Sequence, residues 1–520
     1  MSLLDFIYVA PMLMLAASGL VVLILGTIAD RFPKGRLAHL LPPDYLSVAL
    51  MVPTVIMAAF ALWAAVRFAP LQLFELLPTR NPLILIDPFA AFFGLIAALG
   101  TLVVMVMSLD YFAERTRHRT EYFALLLFAT CAILLVAAST DLLMIYLSLE
   151  FLSLSSYVLA AYWKDDSRSS EAGIKYFLFG AVSSAVMLYG MSMLYGLTNS
   201  TNLADIASAL GRGDVLSVRA AWVAVIMVLA GLGFKLALVP FHLWAPDTYE
   251  GAPTPITAWL SVASKAAGLA VATRFLLVAI PLESGVNWYA VLIVLSAASM
   301  TLGNLVAITQ KNVKRMLAYS SIAQVGYMLV GVLAAATAHN PLPAVRAGDL
   351  TVSAATSGMP NYGLAGLLIY AASYLFMNLG AFAVVIALER KSGSSDLEAF
   401  RGLMRRAPFL AGSLVVFFLS LAGIPPTAGF LGKLYVFASA IQTTRTDLLV
   451  LAIIAVANSV ISVYYYFNVV RLMFMHEAEG GTPVAASKPL LAAIVVLLVL
   501  TIGICLAAGP VIRLAQAAVL

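Results

Sequence analysis

The sequence predicts an all-α polytopic membrane protein with about fourteen transmembrane helices, and two observations lead to this prediction. The 520-residue chain is 62% hydrophobic and only 11% charged, whereas soluble globular domains contain about 25% charged residues. Its apolar stretches also recur at lengths of roughly 20 residues, which is the length of a helix that crosses a bilayer. Because hydrocarbon offers no hydrogen-bond partner to the backbone, a bundle of helices with short connections is the expected architecture.

Apolar stretches of this kind can be marked along the whole chain. The fourteen predicted spans lie near residues 5–29, 44–66, 84–109, 121–139, 141–163, 173–197, 219–243, 255–278, 287–309, 313–337, 362–388, 407–441, 447–473 and 488–508. The segments between them are short, so the sequence predicts no soluble domain that could fold alone.

Two of the predicted spans combine a lysine with prolines. Pro240 follows Lys235 in "GFKLALVPFH", and Pro425 and Pro426 precede Lys433 in "LSLAGIPPTAGFLGKLYVF". A proline inside a helix removes one hydrogen bond and clashes with the preceding turn. A kinked packing helix would explain the prolines alone, but the lysine beside each proline favours a broken helix that lines a polar cavity.

A pair of interrupted spans about 200 residues apart indicates two structural repeats. We therefore expect helices one to three in residues 1–110, a five-helix repeat over 121–278, a second five-helix repeat over 287–473, and a C-terminal helix within 488–520. Each repeat has an odd number of helices and one broken helix. The second repeat is therefore expected to be inverted in the membrane relative to the first.

The distribution of basic residues predicts the orientation of the chain. Of the 30 Lys and Arg residues, more than half fall in every second loop, beginning with the loop after the first span. Loops rich in Lys and Arg stay on the cytoplasmic side. Both termini are therefore expected to face outward, away from the cytoplasm or its equivalent.

Five ionisable residues in predicted spans are not assigned to loops or span ends, whereas the other basic residues are. They are Glu150, Lys175, Lys235, Lys265 and Lys433. A charge in hydrocarbon costs about 2.5 to 3.5 kcal/mol on insertion scales, so such residues usually face the bundle interior and mark ion or proton routes. Lys175 lies near a helix start and could instead extend its amine to the interface.

Two further residues beside span ends have alternative interpretations. His242, in the connection "LVPFHLWAPDTYEGAPTPITAWL", follows the first broken helix and could relay protons. It could equally be a hydrogen-bonded core histidine. Asp87, in "LILIDPFAAFF", precedes a proline and is predicted to cap a helix.

Other chemistries find little support in the sequence. Cys131 and Cys505 lie in apolar spans without a CxxC motif or a Cys/His cluster, so neither a metal site nor a disulfide framework is indicated. The chain contains no GxxxxGK[ST] motif and no GxGxxG motif after a strand. Nucleotide-driven transport and a bound dinucleotide are therefore not indicated.

Several long segments resemble a known family. They are "EFLSLSSYVLAAYWKDDSRSSEAGIKYFLFGAVSSAVMLYGMSMLYG", "GLGFKLALVPFHLWAPDTYEGAPTPITAWLSVASKAAG", "KNVKRMLAYSSIAQVGYM" and "LSLAGIPPTAGFLGKLYVF". These segments resemble the antiporter-like membrane subunits of proton-pumping NADH:quinone oxidoreductase, respiratory complex I. Within that family they are most similar to subunit N, which corresponds to subunit 2 of the mitochondrial enzyme and has a counterpart in the plastid and cyanobacterial NDH complexes. The resemblance spans roughly residues 80–475.

The resemblance implies a role for each buried ionisable residue. The glutamate of the fifth helix would be Glu150, and the lysines of the broken seventh, the eighth and the broken twelfth helices would be Lys235, Lys265 and Lys433. Lys175 matches a lysine of the sixth helix. Gln324, in "SSIAQVGYM", stands where the family often has a histidine in the tenth helix. Because glutamine cannot take a charge, Gln324 could only order water between Lys265 and Lys433.

The resemblance also implies the partners of the chain. It would be a non-redox subunit of a proton-translocating enzyme, without a cofactor of its own, while FMN, iron–sulfur clusters and quinone belong to partner subunits. Its partners would be neighbouring membrane subunits, lipid, protons and internal water, and not nucleic acid. A bacterial plasma membrane is the expected location, with the termini in the periplasm; a thylakoid or mitochondrial inner membrane is the alternative.

Two other assignments remain open from the sequence. A subunit of an Mrp-type cation/proton antiporter would share the broken helices and buried lysines. A subunit of a membrane-bound hydrogenase would share them as well, and its iron–sulfur partners would distinguish it.

Overall fold

The chain is an integral membrane protein built almost entirely of helices. A computed structural model describes residues 3–31, 42–68, 70–76, 81–113, 118–212, 215–337, 362–477 and 483–519. Within these residues, thirteen helices are long and apolar enough to cross a membrane. The expected all-helical membrane architecture is confirmed, apart from one short β-hairpin.

The first part of the chain contains three long helices and this hairpin. Its elements are α1 (Leu3–Arg31), α2 (Pro43–Arg67), β1 (Leu71–Leu76), β2 (Asn81–Ile86) and α3 (Pro88–Ala113). The two strands pair antiparallel. The predicted span 84–109 was therefore wrong at its start, because residues 84–86 belong to β2. Asp87 caps α3 as expected, since its Oδ1 accepts a hydrogen bond of 2.8 Å from the amide of Ala90.

The next helices contain the first group of candidate residues. They are α4 (Arg119–Ala138), α5 (Leu142–Ala160), α6 (Ser167–Thr198), α7 (Leu203–Leu210) and α8 (Val215–Leu236). Asp141, Asp166 and Asn202 cap the starts of α5, α6 and α7 with side-chain oxygens. These caps satisfy amide groups that the first helical turn leaves unpaired.

The α8 helix ends seven residues before the predicted end of its span at residue 243. Ala237 has a φ of 56°, which ends the α-helix. Pro240 then follows without a backbone N–H to continue it. The carbonyl of Phe234, in the last turn of α8, accepts hydrogen bonds from the amide of Ala237 and from the indole Nε1 of Trp244, both at 3.0 Å.

A helical segment of mixed geometry follows. It consists of α9 (Trp244–Gly251), α10 (Thr254–Trp259), a π-helical turn (Leu260–Ser264), α11 (Lys265–Arg274), a second π-helical turn (Phe275–Ala279) and a 3-10 turn (Leu282–Ser284). Residues Thr254–Ala279 form one membrane-length helix despite the π turns. Such turns occur frequently at functional sites.

The remaining elements complete the bundle. They are α12 (Trp288–Ala307), α13 (Val313–Thr337), α14 (Tyr362–Ser392), a 3-10 turn (Leu397–Phe400), α15 (Leu403–Arg406), α16 (Pro408–Ala422), α17 (Ala428–Gln442), α18 (Thr446–Met475), α19 (Lys488–Leu506) and α20 (Ala508–Ala517). The predicted span 407–441 appears as two short helices, α16 and α17. This separation explains why thirteen long helices are found where fourteen spans were predicted.

Three helical segments form the centre of the bundle. The most apolar windows of Thr254–Ala279, α13 and α14 are 89%, 94% and 89% buried, whereas that of α6 is 28% buried. A helix buried on all sides cannot place its polar side chains in lipid. Polar residues of the central segments must therefore bond to one another, to neighbouring helices or to internal water.

Candidate proton-transfer site

Glu150 and Lys235 share one small cavity between α5, α6 and α8. Lys235 is the penultimate residue of α8 and is 3% exposed. Its Nζ donates to Ser153 Oγ at 3.2 Å. Ser153 lies on α5, one helical turn after the half-buried Glu150. Glu150 accepts a hydrogen bond from Ser184 of α6. The cavity that Glu150 and Lys235 line has a volume of about 20 Å³, enough for one water molecule.

Lys265 lies at the centre of the bundle. It is the first residue of α11, it is 2% exposed, and its Nζ donates to the hydroxyl of Ser321 on α13. Gly268 lies one turn further along α11. A Cβ at Gly268 would be 2.9 Å from Leu236 Cδ2 and 3.5 Å from Lys235 Cγ. The glycine therefore lets the end of α8 approach the helix that carries Lys265.

Lys433 caps the helix end at the second break. It lies in α17 and is 4% exposed, and its Nζ donates to the carbonyls of Leu421 and Ala422 at 3.1 and 2.9 Å. It also donates to Ser459 Oγ of α18 at 2.8 Å. Carbonyls at a helix C-terminus have no partner within the helix and attract cations. The ammonium additionally lies 4.7 Å from the centre of the Tyr327 ring.

Gln324 connects the centre of the bundle to this helix end. It lies on α13 one turn after Ser321 and is fully buried. Its Nε2 donates to the Leu421 carbonyl at 3.0 Å, and its Oε1 accepts a hydrogen bond from the Tyr370 hydroxyl. The contacts thus run from Lys265 through Ser321, along one turn of α13 to Gln324, and on to the second break.

A further group of buried polar side chains lies beyond Tyr327, and the sequence analysis did not identify it. Asn304 Nδ2 donates to the Tyr327 hydroxyl at 2.9 Å, and Asn304 Oδ1 accepts from the Tyr465 hydroxyl at 3.0 Å. Asn458 of α18 lies within 3.4 Å of the same amide. The detectable signal was an asparagine inside each of two apolar spans, because amides are expensive to bury without partners.

Several buried polar atoms around this site have no hydrogen-bond partner among the described residues. They are the hydroxyls of Tyr176, Tyr249 and Tyr374, the Oδ1 of Asn378 and the Nδ1 of His242. Buried polar groups are rarely left unpaired, and ordered water usually satisfies those that the protein does not. These atoms are therefore positions where internal water can bind.

Lys175 lies outside the buried site, in a partly exposed ion-pair cluster. Its Nζ lies 2.7 Å from both Glu171 and Asp247, and Asp247 also pairs with Arg315 at 2.5 Å. Burial alone would raise the pKa of Asp247, but hydrogen bonds from Lys175 and Arg315 outweigh burial and lower the pKa below its ordinary value. The cluster holds α9 against α6 and α13.

His242 lies in residues 237–243, between α8 and α9. Its side chain is buried, and burial lowers its pKa below the ordinary value despite an opposing hydrogen bond with the backbone of Pro240. The imidazole is therefore neutral at neutral pH. In that state it can both donate and accept a proton.

Two of the basic residues assigned to loops and helix ends are buried there instead of reaching water or headgroups. Arg274 is 2% exposed and forms a bidentate ion pair with Asp87, with distances of 2.9 and 2.8 Å. Lys314 is 3% exposed and donates to the Ala252 carbonyl at 2.8 Å. Both lie near the ends of apolar stretches, where sequence alone cannot distinguish a buried side chain from one that reaches water.

The part of the chain that the structure describes contains no group of three or more His, Cys, Asp or Glu side chains that could hold a metal ion. Cys131 is buried and Cys505 is partly buried, and both are free thiols. The polar groups that the described contacts bring together at this site are amines, a carboxylate, amides and hydroxyls.

A helical membrane bundle with lysines buried beside helix ends is typical of proteins that move ions or protons across membranes. The chain matches the family described as NADH:quinone oxidoreductase/Mrp antiporter, TM, over residues 139–341 and 348–462. It belongs to this family, and the resemblance found in the sequence is confirmed.

Individual relatives agree with the family assignment. The chain is 40% identical over 440 residues to a protein named NADH-quinone oxidoreductase subunit N from Heliobacterium modesticaldum, which covers 85% of this chain and 86% of that protein. Its structure is similar to that of a chain of respiratory complex I from Thermus thermophilus with bound aureothin, with a TM-score of 0.74. The two sequences are 31% identical, and the match covers 97% of this chain and 99% of the Thermus thermophilus chain. A chain of the Mrp complex from Dietzia sp. shares the fold, with a TM-score of 0.81, 21% identity, and coverage of 100% and 97%.

Proposed function

We propose that this chain is the antiporter-like subunit N of an NADH:quinone oxidoreductase, complex I, or of a closely related enzyme with another electron donor. In this role it couples quinone reduction in partner subunits to proton transfer across the membrane. The observation that carries the proposal is the placement of Ser321 and Gln324 one turn apart on α13. Ser321 accepts from buried Lys265, and Gln324 donates to the Leu421 carbonyl that buried Lys433 also bonds. The relative named subunit N, at 40% identity, supports the same assignment.

In the proposed mechanism, the proton route runs from Glu150 and Lys235 through Lys265 to Lys433. A nearby carboxylate stabilises the ammonium form of a buried lysine, whereas desolvation favours the neutral amine. A signal that weakens the influence of Glu150 on Lys235 would therefore release a proton toward Lys265. Water at the unpaired buried hydroxyls would carry it between amines, and Lys433 would release it on the opposite side.

The energy for this transfer comes from outside the chain. Moving one charge across 100 mV costs about 2.3 kcal/mol, and quinone reduction in partner subunits supplies it. We assign FMN, the iron–sulfur clusters and quinone to those partner subunits. The chain itself contributes the membrane route and contacts neighbouring membrane subunits of the complex.

We also propose that the chain has the repeat organisation and the orientation expected from the sequence. The two repeats, 121–278 and 287–473, would be inverted relative to each other, and each would contribute one broken helix. The end of α8 at Leu236 and the gap between α16 and α17 support this view, since each lies beside a buried lysine. Both termini would face the periplasm of a bacterial plasma membrane.

Three further residues would support the route. We assign Gln324 the task of holding water and the Leu421 carbonyl between Lys265 and Lys433. His242 would exchange protons with water beside the first helix break. Lys175 would hold α9 in place through its ion pair with Asp247, at a distance of 2.7 Å.

The Mrp-type antiporter is the second candidate, because the Mrp chain from Dietzia sp. has the same fold. Its identity of 21% is lower than the 31% found for the complex I chain from Thermus thermophilus, which favours complex I. Purification of the assembled complex separates the candidates. Iron–sulfur partners with quinone reductase activity support complex I, iron–sulfur partners with hydrogenase activity support a membrane-bound hydrogenase, and a complex without clusters supports the antiporter.

The experiment that tests the proposed function replaces Lys235 in the assembled complex. In inverted membrane vesicles, Lys235→Ala should abolish most proton pumping while the complex still assembles. Lys391→Ala is the control, because Lys391 is exposed at the end of α14. Normal pumping by an assembled Lys235→Ala complex would contradict the proposed role of this residue.

A further inference from the structure

A polar cavity lies at one end of the bundle, and Lys235, Lys265 and Lys433 are not part of its lining. It has a volume of about 280 Å³, enough for several water molecules. Its lining includes the exposed Asp166 and Asp396, the half-buried Glu389, and the buried Tyr111 and Lys314. The cavity thus connects exposed polar residues to residues inside the bundle.

Glu389 joins this cavity to the helix that carries Lys265. One carboxylate oxygen of Glu389 accepts a hydrogen bond from the Thr254 hydroxyl. The other carboxylate oxygen accepts one from the Tyr111 hydroxyl at 3.5 Å. Thr254 is the first residue of α10 and is fully buried. Lys265 follows eleven residues later, which is about 16 Å along a helix.

Hydroxyl groups recur along the helix between Thr254 and Lys265. Thr257, Ser261 and Ser264 are all buried, and Asn378 of α14 donates to Ser261 Oγ at 2.6 Å. Each hydroxyl has both a proton to donate and lone pairs to accept one. The hydroxyl of Thr257 donates to the carbonyls of Tyr249 and Pro253, and that of Ser261 donates to the carbonyl of Ala258. A proton that moves past these hydroxyls would therefore need water between them, for which the unpaired Asn378 Oδ1 offers a binding position.

We propose that this cavity takes up protons from the aqueous phase and that Glu389 passes them toward Lys265. The carboxylate would accept a proton from cavity water and release it along the hydroxyls that begin at Thr254, after which the carboxylate is restored. Lys314 fixes the wall of the cavity through its bond to the Ala252 carbonyl. This inference rests on the proposed function, since it supplies protons to the same route.

The side of uptake follows from the loops that form the cavity. Its walls come from the connections before α6, before α13 and after α14. Lys311 lies in one of these connections, and Arg168 and Lys391 lie in the helix ends beside the other two. These are the loops expected on the cytoplasmic side. Protons taken up there would move in the direction in which the complex pumps them.

The test uses the assembled complex in inverted membrane vesicles, where the cytoplasmic side faces the bath. Glu389→Gln should lower the initial rate of proton pumping about tenfold at neutral pH, because it removes a positioned proton carrier. Pumping should recover as the bath pH is lowered, since more protons then reach the route directly. Glu398→Gln is the matched control, because Glu398 is exposed near the same end and pairs only with Arg401 among the described residues.

Several outcomes would overturn the inference. One is a pumping rate of the Glu389→Gln complex that equals the rate of the Glu398→Gln complex. Another is a pumping rate of Glu389→Gln that is reduced by the same factor at every bath pH, because a pH-independent loss indicates a structural role. If the Glu389→Gln complex does not assemble, Thr254→Val provides the same test through a smaller change. A Thr254→Val complex that pumps at the wild-type rate would also overturn the inference. Lys265→Ala distinguishes the two proposals, because unchanged pumping by that variant contradicts the proposed function itself.

Discussion

Gln324 and Lys433 donate to the same acceptor, the backbone carbonyl of Leu421, at 3.0 and 3.1 Å. The amide oxygen of Gln324 accepts a hydrogen bond from the Tyr370 hydroxyl. A neutral side chain is therefore fixed directly beside the ammonium at the second helix break. Because glutamine cannot titrate, a proton that passes this point must travel on water or on the neighbouring hydroxyls.

Replacing Gln324 tests whether this fixed amide matters for proton transfer. Gln324→Leu keeps the side-chain size but removes one donor from Leu421 and the acceptor from Tyr370, which should cost about 1–3 kcal/mol of stability. We expect proton pumping per quinone reduced to fall several-fold. Gln310→Leu is the control, because among the described residues that amide bonds only within its own turn, to Val306 at 2.9 Å and to Thr309. Equal pumping by the two variants would contradict a role for Gln324.

Lys433 is expected to stabilise the second helix break as well as to carry protons. Lys433→Met removes the cation from the C-terminus of α16 and should lower stability by up to about 2 kcal/mol. Proton pumping should be lost, while Lys391→Met, at an exposed position, should change neither property. Thermal unfolding of the purified complex and pumping in vesicles measure the two effects. A Lys433→Met complex that pumps normally would argue against the proposed route.

The ion pair of Arg274 and Asp87 should be important for stability rather than for pumping. Arg274→Gln leaves the buried Asp87 carboxylate without its partner and should cost about 3–5 kcal/mol. The double variant with Asp87→Asn should cost less than the sum of the single variants, because the two residues interact directly. The yield of assembled complex and its thermal midpoint provide the measurement.

A matched control for this pair exists at the surface. Arg445 and Asp447 are paired at 2.8 Å, but their side chains are 48% and 37% exposed. Exposed ion pairs contribute between about 0 and 1 kcal/mol, so Arg445→Gln should have little effect. If Arg274→Gln is as mild as Arg445→Gln, the buried pair does not contribute the stability that we predict.

The cluster around Asp247 predicts a pH dependence of stability. The pKa of Asp247 is lower in the folded state than in the unfolded chain. Its stabilising effect is therefore complete when the pH is above the pKa of the unfolded chain, about 3.9, and is lost as the pH falls through the folded pKa. Asp247→Asn should therefore lower the thermal midpoint at pH ~7 and have a smaller effect at acidic pH. The side chain is 31% exposed, so the change should remain near ~1 kcal/mol.

Thermal unfolding of wild type and Asp247→Asn across the acidic range checks this prediction. Glu171→Gln is a useful comparison, since Glu171 is 64% exposed and contacts the same Lys175. A difference between Asp247→Asn and wild type that grows as the pH falls would show that the sign of the effect is wrong.

Much of the fold could be predicted because the membrane leaves few alternatives. Apolar runs of span length predicted nearly all the long helices, and Asp87 and Pro88 correctly predicted the start of α3. The β-hairpin was missed because the apolar residues 84–86 are equally suitable for a strand or for the beginning of a span. Length and hydropathy do not distinguish those two states over so few residues.

The sequence by itself determined that this is a membrane bundle and that Lys235, Lys265 and Lys433 lie inside it, because charges within long apolar runs cannot be left to lipid. Only the tertiary structure decided what those lysines contact. The partners Ser153 and Ser321 lie 82 and 56 residues away from Lys235 and Lys265 in the sequence, and hydropathy along one chain contains no information about which side chains meet. For the same reason, only the structure could place Arg274 against Asp87 and Glu389 against Thr254.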